Sequence, residues 1–253
     1  MKKKKASLFG VFVSVTNPKE TLRIIEDSIV NMRRIYICVA AVHLIEECQY
    51  DGGLLEGVNR AGLVVPDGMP LVWLLRAAGF GDVRRVYGPD IMEQACRIAS
   101  HKHFAVFILG GATGQSKEVK RSLKQQVPSL WVVGSRDTPH RPISDSENNA
   151  IVQCINKTNP AIVFIGMGCP WQEKWMIENR KKLKAPVLIG VGAAFDFITK
   201  KIPQAPRWIQ NCGLEWFYRF IHEPKRLWRR YTVTNIKFAL RLIRFWVGSY
   251  IGK

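Results

Sequence analysis

Apolar residues in this chain fall into short β-branched blocks separated by longer stretches with helical spacing. Residues 8–15 read as a first strand. Asn17 and Pro18 then supply an N-cap and a first helical position, so a helix is predicted over 18–31. Residues 35–42 are apolar and β-branched, the pattern of a buried strand, and 61–65 form a short one ending at Pro66-Asp67-Gly68. Helices are predicted over 70–78 and 89–100.

Three further blocks, 104–109, 161–165 and 187–191, each end in glycine. Helical patterns at 115–126, 145–157 and 171–182 separate them. Buried strands alternating with helices predict an α/β fold: a Rossmann-like parallel sheet with helices on both faces. Ligands of such sheets bind beyond the carboxyl ends of the strands, where these glycines lie.

The last segment is different. Residues 207–253 hold ten Lys/Arg against two Glu, and Trp208, Trp216, Trp228 and Trp246. The chain therefore divides into an α/β catalytic core over 1–206, with subregions 7–103 and 104–195, and a helical basic appendage over 207–253. In helical projection Lys237, Arg241 and Arg244 share one face, beside Phe238, Leu242, Phe245, Trp246 and Ser249. That stripe suits a helix lying on anionic lipid, or one packed on its own chain with solvated arginines, or a nucleic-acid-binding tail.

Charge narrows the partners. The net charge of +18 and pI near 9.9 call for an anionic partner: a nucleotide, a nucleic acid or an acidic lipid surface. The six cysteines are scattered without a CxxC pair, which indicates buried free thiols and gives a zinc site no spacing. Lys2–Lys5 reads as a basic tail before the first strand. No run of eighteen uncharged apolar residues exists to cross a membrane, so a membrane partner is met at its surface.

Several strand ends carry candidate chemistry. Asp67 is placed as a proton acceptor at a strand's end, though Pro-Asp-Gly is also ordinary turn chemistry. Gly110 and Gly111 lie between a strand and a helix, where backbone amides bind phosphate or simply make a turn. Gly166 and Gly168 precede Gln172 and Glu173 in a first helical turn, so those side chains serve a nucleotide sugar or the helix dipole. Asp196 follows Gly192 in the same manner, and Arg85 is a phosphate contact or a loop residue.

Together these segments resemble the WecG/TagA/CpsF glycosyltransferases. The resemblance rests on Ala61-Gly-Leu-Val-Val-Pro-Asp-Gly-Met-Pro-Leu-Val-Trp, Arg85-Val-Tyr-Gly-Pro-Asp, Leu109-Gly-Gly, Gly166-Met-Gly-Cys-Pro-Trp-Gln-Glu-Lys-Trp, Gly192-Ala-Ala-Phe-Asp and Gly213-Leu-Glu-Trp-Phe-Tyr-Arg, followed by Glu223-Pro-Lys-Arg-Leu-Trp-Arg-Arg-Tyr. These follow in the family's order and span about residues 10–235.

The resemblance implies an inverting, metal-independent transfer from a UDP-sugar to an undecaprenyl-diphosphate-linked acceptor, without a cofactor, in cell-surface polysaccharide synthesis. It implies Asp67 as base and Arg207, Arg219, Arg226 and Arg229 as appendage arginines at the acceptor diphosphate or the membrane. It also implies a peripheral position on the cytoplasmic face of the bacterial inner membrane. Nucleic acid is not an expected partner, and a homo-oligomer stays open. One departure is local: Val39 and Ala41 stand where the family carries a Thr-x-Asn pair, with His43 nearby as a partial substitute. Trp171 stands where a basic residue is common, and Lys200 where glycine is. The alternative reading is a nucleotide-sugar-binding protein with weak or no transferase activity.

Overall fold

The computed structural model describes residues 4–139 and 142–251, and their side chains except those of 226, 229, 230 and 245–251. The chain opens with a hairpin, β1 (Lys5–Leu8) and β2 (Val11–Ser14), paired antiparallel with Leu8 opposite Val11. The expected single strand over 8–15 is therefore two strands. Phe9 and Gly10 take φ of 52° and 83°, the double positive turn that matches strand twist. A phenylalanine in that position hid the turn.

Helix α1 (Pro18–Val30) begins as predicted, with the Asn17 side chain accepting the Glu20 amide at 3.0 Å. Strand β3 (Ile35–Ala40) stops two residues short of the expected 42. Ala41 is instead the N-cap of α2 (Val42–Tyr50), which runs on into α3 (Gly52–Asn59). Leu44, Ile45 and Cys48 are buried at helical spacing, and this overrides the β-branched Val42. Strand β4 (Leu63–Pro66) leads through Asp67 to α4 (Met69–Ala77), then α5 (Gly88–His101).

The second half continues with β5 (Val106–Gly110), α6 (Gln115–Gln126), β6 (Val132–Arg136), α7 (Asp145–Thr158), β7 (Ile162–Gly166), α8 (Trp171–Asn179), β8 (Val187–Gly190) and α9 (Ala194–Ile198). Strand β6 escapes sequence reading because it is a sheet edge. Only Val132 is fully buried in it, and its Gly134 leaves room for the Phe107 ring. The appendage consists of α10 (Arg207–Asn211), α11 (Glu215–His222) and α12 (Pro224–Ile251).

Strands β4-β3-β8-β7-β5-β6 form one parallel sheet. Alternate side chains enter two cores. Cys38, Phe107, Leu109, Val163, Ile165 and Leu188 face one side; Ile37, Val106, Ile108, Ile162, Phe164 and Ile189 face the other. Helices cover both faces, as the apolar runs required. From β3 the chain leaves to α2 on one face of the sheet, while from β8 it leaves to α9 on the other. The connections leaving β5 and β7 also diverge, toward β6 and β8. Each divergence opens a crevice at the strands' carboxyl ends.

The appendage is docked on the core. Arg241 of α12 reaches Glu46 of α2, and Phe238 packs edge-on against Phe9 with ring centroids 5.7 Å apart. Trp208, Trp216, Phe217, Ile221, Trp228, Ile236 and Ile243 remain exposed along α10–α12. Among the described residues no helix is long and apolar enough to cross a membrane. All six cysteines are free thiols; Cys38, Cys48 and Cys96 are buried, Cys154 and Cys169 partly so, and Cys212 is exposed.

Candidate active site

Asp67 sits one residue past β4, where its amide donates to the Ala40 carbonyl at 2.8 Å. That bond, together with Val86 N–H donating to Pro66 O at 2.8 Å, fixes the segment before α5 alongside the strand's end. Arg85 is thereby brought against Asp67. Its Nε and Nη2 donate to Asp67 Oδ1 at 3.3 and 3.2 Å, and its Nε also meets the Asp67 carbonyl.

The appendage completes this cluster. Arg85 Nη2 donates to Glu215 Oε2 at 2.6 Å, and the Tyr87 hydroxyl donates to Glu215 Oε1 at 3.0 Å. The guanidinium also stacks over the Tyr87 ring, 4.1 Å from its centre. Burial pushes the Asp67 carboxyl up to about 6, with Arg85 opposing and Glu215 adding to the rise. A carboxyl in that range holds a proton more firmly than an exposed one, yet is largely ionised at neutral pH.

Asp67 borders two cavities. The first is a narrow cleft at the β3/β8 divergence, with Val39 and Ala41 on one wall and Gly168 and Gly192 on the other. The second, about 450 Å³, lies between core and appendage, with His43, Met69, Trp73, Tyr231 and Phe238 in its walls. Arg219 reaches both cavities. Its guanidinium lies 5.3 Å from the Phe197 ring centre, and its buried Nε has no hydrogen-bond partner among the described residues. His43 meets Glu47 at 3.7 Å and lines the appendage cavity together with Ala41, while Val39 lines the cleft.

Gln172 lines the cleft, and the buried Glu173 lies behind it. Gln172 Oε1 accepts the Gly192 amide at 3.0 Å, and its Nε2 donates to Glu173 Oε1 at 2.8 Å. This fixes the loop after β8. Among Gly110, Gly111, Gly166 and Gly168, Gly168 alone faces open space; a Cβ on Gly110 would stand 2.8 Å from the Gly166 carbonyl carbon, and one on Gly166 would strike the Phe195 ring. A Cβ on Gly111 would crowd Gln115. Those three glycines let β5, β7 and their helices close up.

The amino end of α6 is already filled. Asp137, just past β6, accepts the Gly114 amide at 2.7 Å and the Ser116 amide at 2.9 Å. Burial opposes its ionisation, but the Ser116 side chain and the Gly114 and Ser116 amides outweigh it and hold the Asp137 carboxyl below the usual range. Asp196 accepts from Gln115 Nε2 at 2.7 Å, so it ties α9 to α6. A third cavity, about 300 Å³, opens at the β5/β7 divergence between Thr138, Asp145, Asn148, Trp171, Lys174 and Trp175.

The appendage arginines separate. Arg207 makes a two-pronged pair with Asp90 at 2.7 and 2.9 Å, and so pins α10 to the start of α5. The Arg226 and Arg229 side chains lie outside the described ones. Sequence reading missed Glu215, Tyr87, Gln210 and Asp137. The one available signal was Glu215 itself, an acid inside a strongly basic segment. Among the described residues no three His, Cys, Asp or Glu side chains gather as a metal site.

Comparison with known proteins shows the family of this chain. The family described as Glycosyl transferase WecG/TagA/CpsF matches residues 6–251. An N-acetylglucosaminyldiphosphoundecaprenol N-acetyl-beta-D-mannosaminyltransferase of Bacillus subtilis strain 168 is 27% identical over 194 residues, 77% of this chain and 73% of its own. The enzyme of the same name from Staphylococcus aureus strain MRSA252 is 25% identical over 227 residues, 89% of this chain and 87% of its own. With the match covering nearly every residue, the chain belongs to the WecG/TagA/CpsF glycosyltransferase family.

Proposed function

We propose that this glycosyltransferase moves an N-acetylhexosaminyl or related sugar from a UDP-sugar to a sugar on undecaprenyl diphosphate, with inversion and with Asp67 as base. The relatives' acceptor, N-acetylglucosaminyldiphosphoundecaprenol, supports the acceptor class. The observation that carries the reading is the Asp67 carboxyl at the junction of the two cavities, with Arg85 bonded to it and Arg219 lining both.

In this reading the donor sugar enters the β3/β8 cleft and the acceptor sugar enters from the appendage cavity. Asp67 takes the proton of the acceptor hydroxyl. The oxygen attacks the anomeric carbon from the face opposite UDP, the bond to the diphosphate breaks, and UDP leaves with the electron pair. Arg219 is suited to the developing diphosphate charge, because its buried Nε has no protein partner among the described residues. The acceptor's lipid tail requires the enzyme to work at a membrane surface. The exposed aromatic and aliphatic side chains of α10–α12, in a segment of ten Lys/Arg against two Glu, support such a peripheral position.

A second reading has a specific basis. Val39 and Ala41 give the cleft an apolar wall beside Asp67, so donor orientation relies on fewer polar groups. The protein would then bind nucleotide sugars and turn them over weakly. A thermal-shift screen of UDP-sugars, followed by transfer assays on a polyprenyl-diphosphate sugar, separates the two. Transfer at a rate that Asp67→Asn abolishes supports the first reading; binding without transfer supports the second. No response to any UDP-sugar sinks both.

A further inference from the structure

We infer that Glu215, carried by the appendage, is a positioning residue for the base: it seats the Arg85 guanidinium beside Asp67, so the site is complete only when α11 is docked on the core. This rests on Asp67 acting as the base. The geometry is specific. Arg85 spends Nη2 on both carboxylates, Nε on Asp67, and Nη1 on Gln210 Oε1 at 3.4 Å. Glu215 is only 9% exposed, and each of its oxygens is engaged, one by Arg85 and one by Tyr87.

A single guanidinium shared between the buried Glu215 and the half-buried Asp67 does not neutralise both. Arg85 Nη2 lies closer to Glu215 Oε2, at 2.6 Å, than to Asp67 Oδ1, at 3.2 Å, so its hold on the Asp67 carboxylate is the looser one. Asp67 keeps affinity for a proton. Without Glu215, Arg85 is free to close fully on Asp67 and convert the base into half of an ordinary ion pair. The groups facing Asp67 are Arg85 and Tyr87 from the segment before α5, Glu215 and Arg219 from α11, Gln210 from α10, and His43 from α2 across the appendage cavity. Two of the three charges that act on Asp67, Glu215 and Arg219, therefore arrive with the appendage. An acceptor-binding segment that also sets the base gives the enzyme a reason not to activate donor before the appendage is in place.

The test is the pH profile of kcat/KM for Glu215→Gln, Glu215→Asp and Asp67→Asn in the full chain, each with its thermal midpoint. Glu215→Gln keeps shape and loses charge. Its acid limb is expected to move to lower pH by about one unit, with plateau kcat down about tenfold to a hundredfold through misplacement of Arg85. Glu215→Asp keeps the charge but stops a methylene short of Arg85 and Tyr87, so its limb stays near the wild-type position while kcat falls. An unmoved limb in Glu215→Gln overturns the proposal, because a merely structural residue would lower stability without moving it. If Glu215→Gln does not fold, Glu215→Asp decides, and wild-type kcat in that variant overturns it. Transfer persisting in Asp67→Asn would remove the base assignment itself, a separate outcome.

Discussion

Arg241 grips Glu46 with two bonds, Nε to Oε1 at 3.0 Å and Nη2 to Oε2 at 3.2 Å, and the Glu46 side chain is only 4% exposed. This pair ties the long C-terminal helix to the helix that follows β3. Breaking it from either side has unequal costs. Arg241→Ala strands a buried carboxylate and is expected to cost about 2–3 kcal/mol. Glu46→Ala leaves an arginine that can swing into water and is expected to cost less. Urea denaturation of both variants measures the asymmetry; equal costs would show that Glu46 is reached by water.

The raised Asp67 carboxyl couples catalysis and stability in opposite senses. The base must be ionised, so kcat/KM is expected to rise with pH through about 6. Folding stability runs the other way. A carboxyl whose folded value lies above its unfolded value of 3.8 stabilises the protonated fold, and that stability is lost as pH rises from about 4 to about 6. Asp67→Asn is therefore expected to abolish transfer, losing at least about a hundredfold, while gaining up to about 2 kcal/mol of stability at neutral pH. Denaturation midpoints at pH 4.5 and pH 7.5 check the sign.

Asp137 shows the opposite linkage. Its carboxyl is held below the usual range, so its contribution is present above pH 4 and lost as pH falls through the lowered value. Asp137→Ala is expected to cost about 1–2 kcal/mol at neutral pH, as for loss of a helix cap. The variant and the parent should converge in stability on acidification below pH 4. A constant gap across that range would assign the bonds to Gly114 and Ser116 no charge component.

Glycines that sequence reading treated alike separate by their surroundings. Gly110 has φ +110° and no room for a Cβ against Gly166. Gly110→Ala is expected to cost about 3 kcal/mol or more, from strain and overpacking together. Gly168 has φ +78° in open space, so Gly168→Ala is expected to cost about 1 kcal/mol. Gly168 also lines the cleft, so its variant should raise the donor KM more than it lowers the denaturation midpoint.

The basic composition of residues 207–253 and the exposed aromatic side chains of α10–α12 predict reversible binding to anionic vesicles, although Arg241 and Lys237 turn toward Glu46 and Tyr50 of α2. Removing residues 207–253 is expected to abolish co-flotation with such vesicles, and raising salt should weaken binding of the full chain. Continued flotation of the truncated protein would assign the lipid contact to the core.

The legible part of this protein is the part governed by local periodicity. Glycine-ended β-branched blocks determined the parallel sheet, Asn17-Pro18 determined the start of α1, and Asp67 could be placed at a strand's end because β4 is short and bounded by Pro66. Features that depend on long-range partners were not legible. The hairpin turn has Phe9 where Asn, Asp or Gly is usual before Gly10, and edge strand β6 lacks a buried face.

The same division runs through the site. Sequence supplied Asp67, Arg85 and the arginine-rich appendage as ingredients. Only the fold decided that Glu215 would meet Arg85 across 130 positions of chain, that Asp137 would occupy the Gly114 and Ser116 amides at the start of α6, and that Glu173 would hold Gln172 in the wall of the cleft. Local sequence carries helix and strand periods because backbone geometry imposes them. Which carboxylate shares which arginine is set by packing between distant segments, and no local period records it.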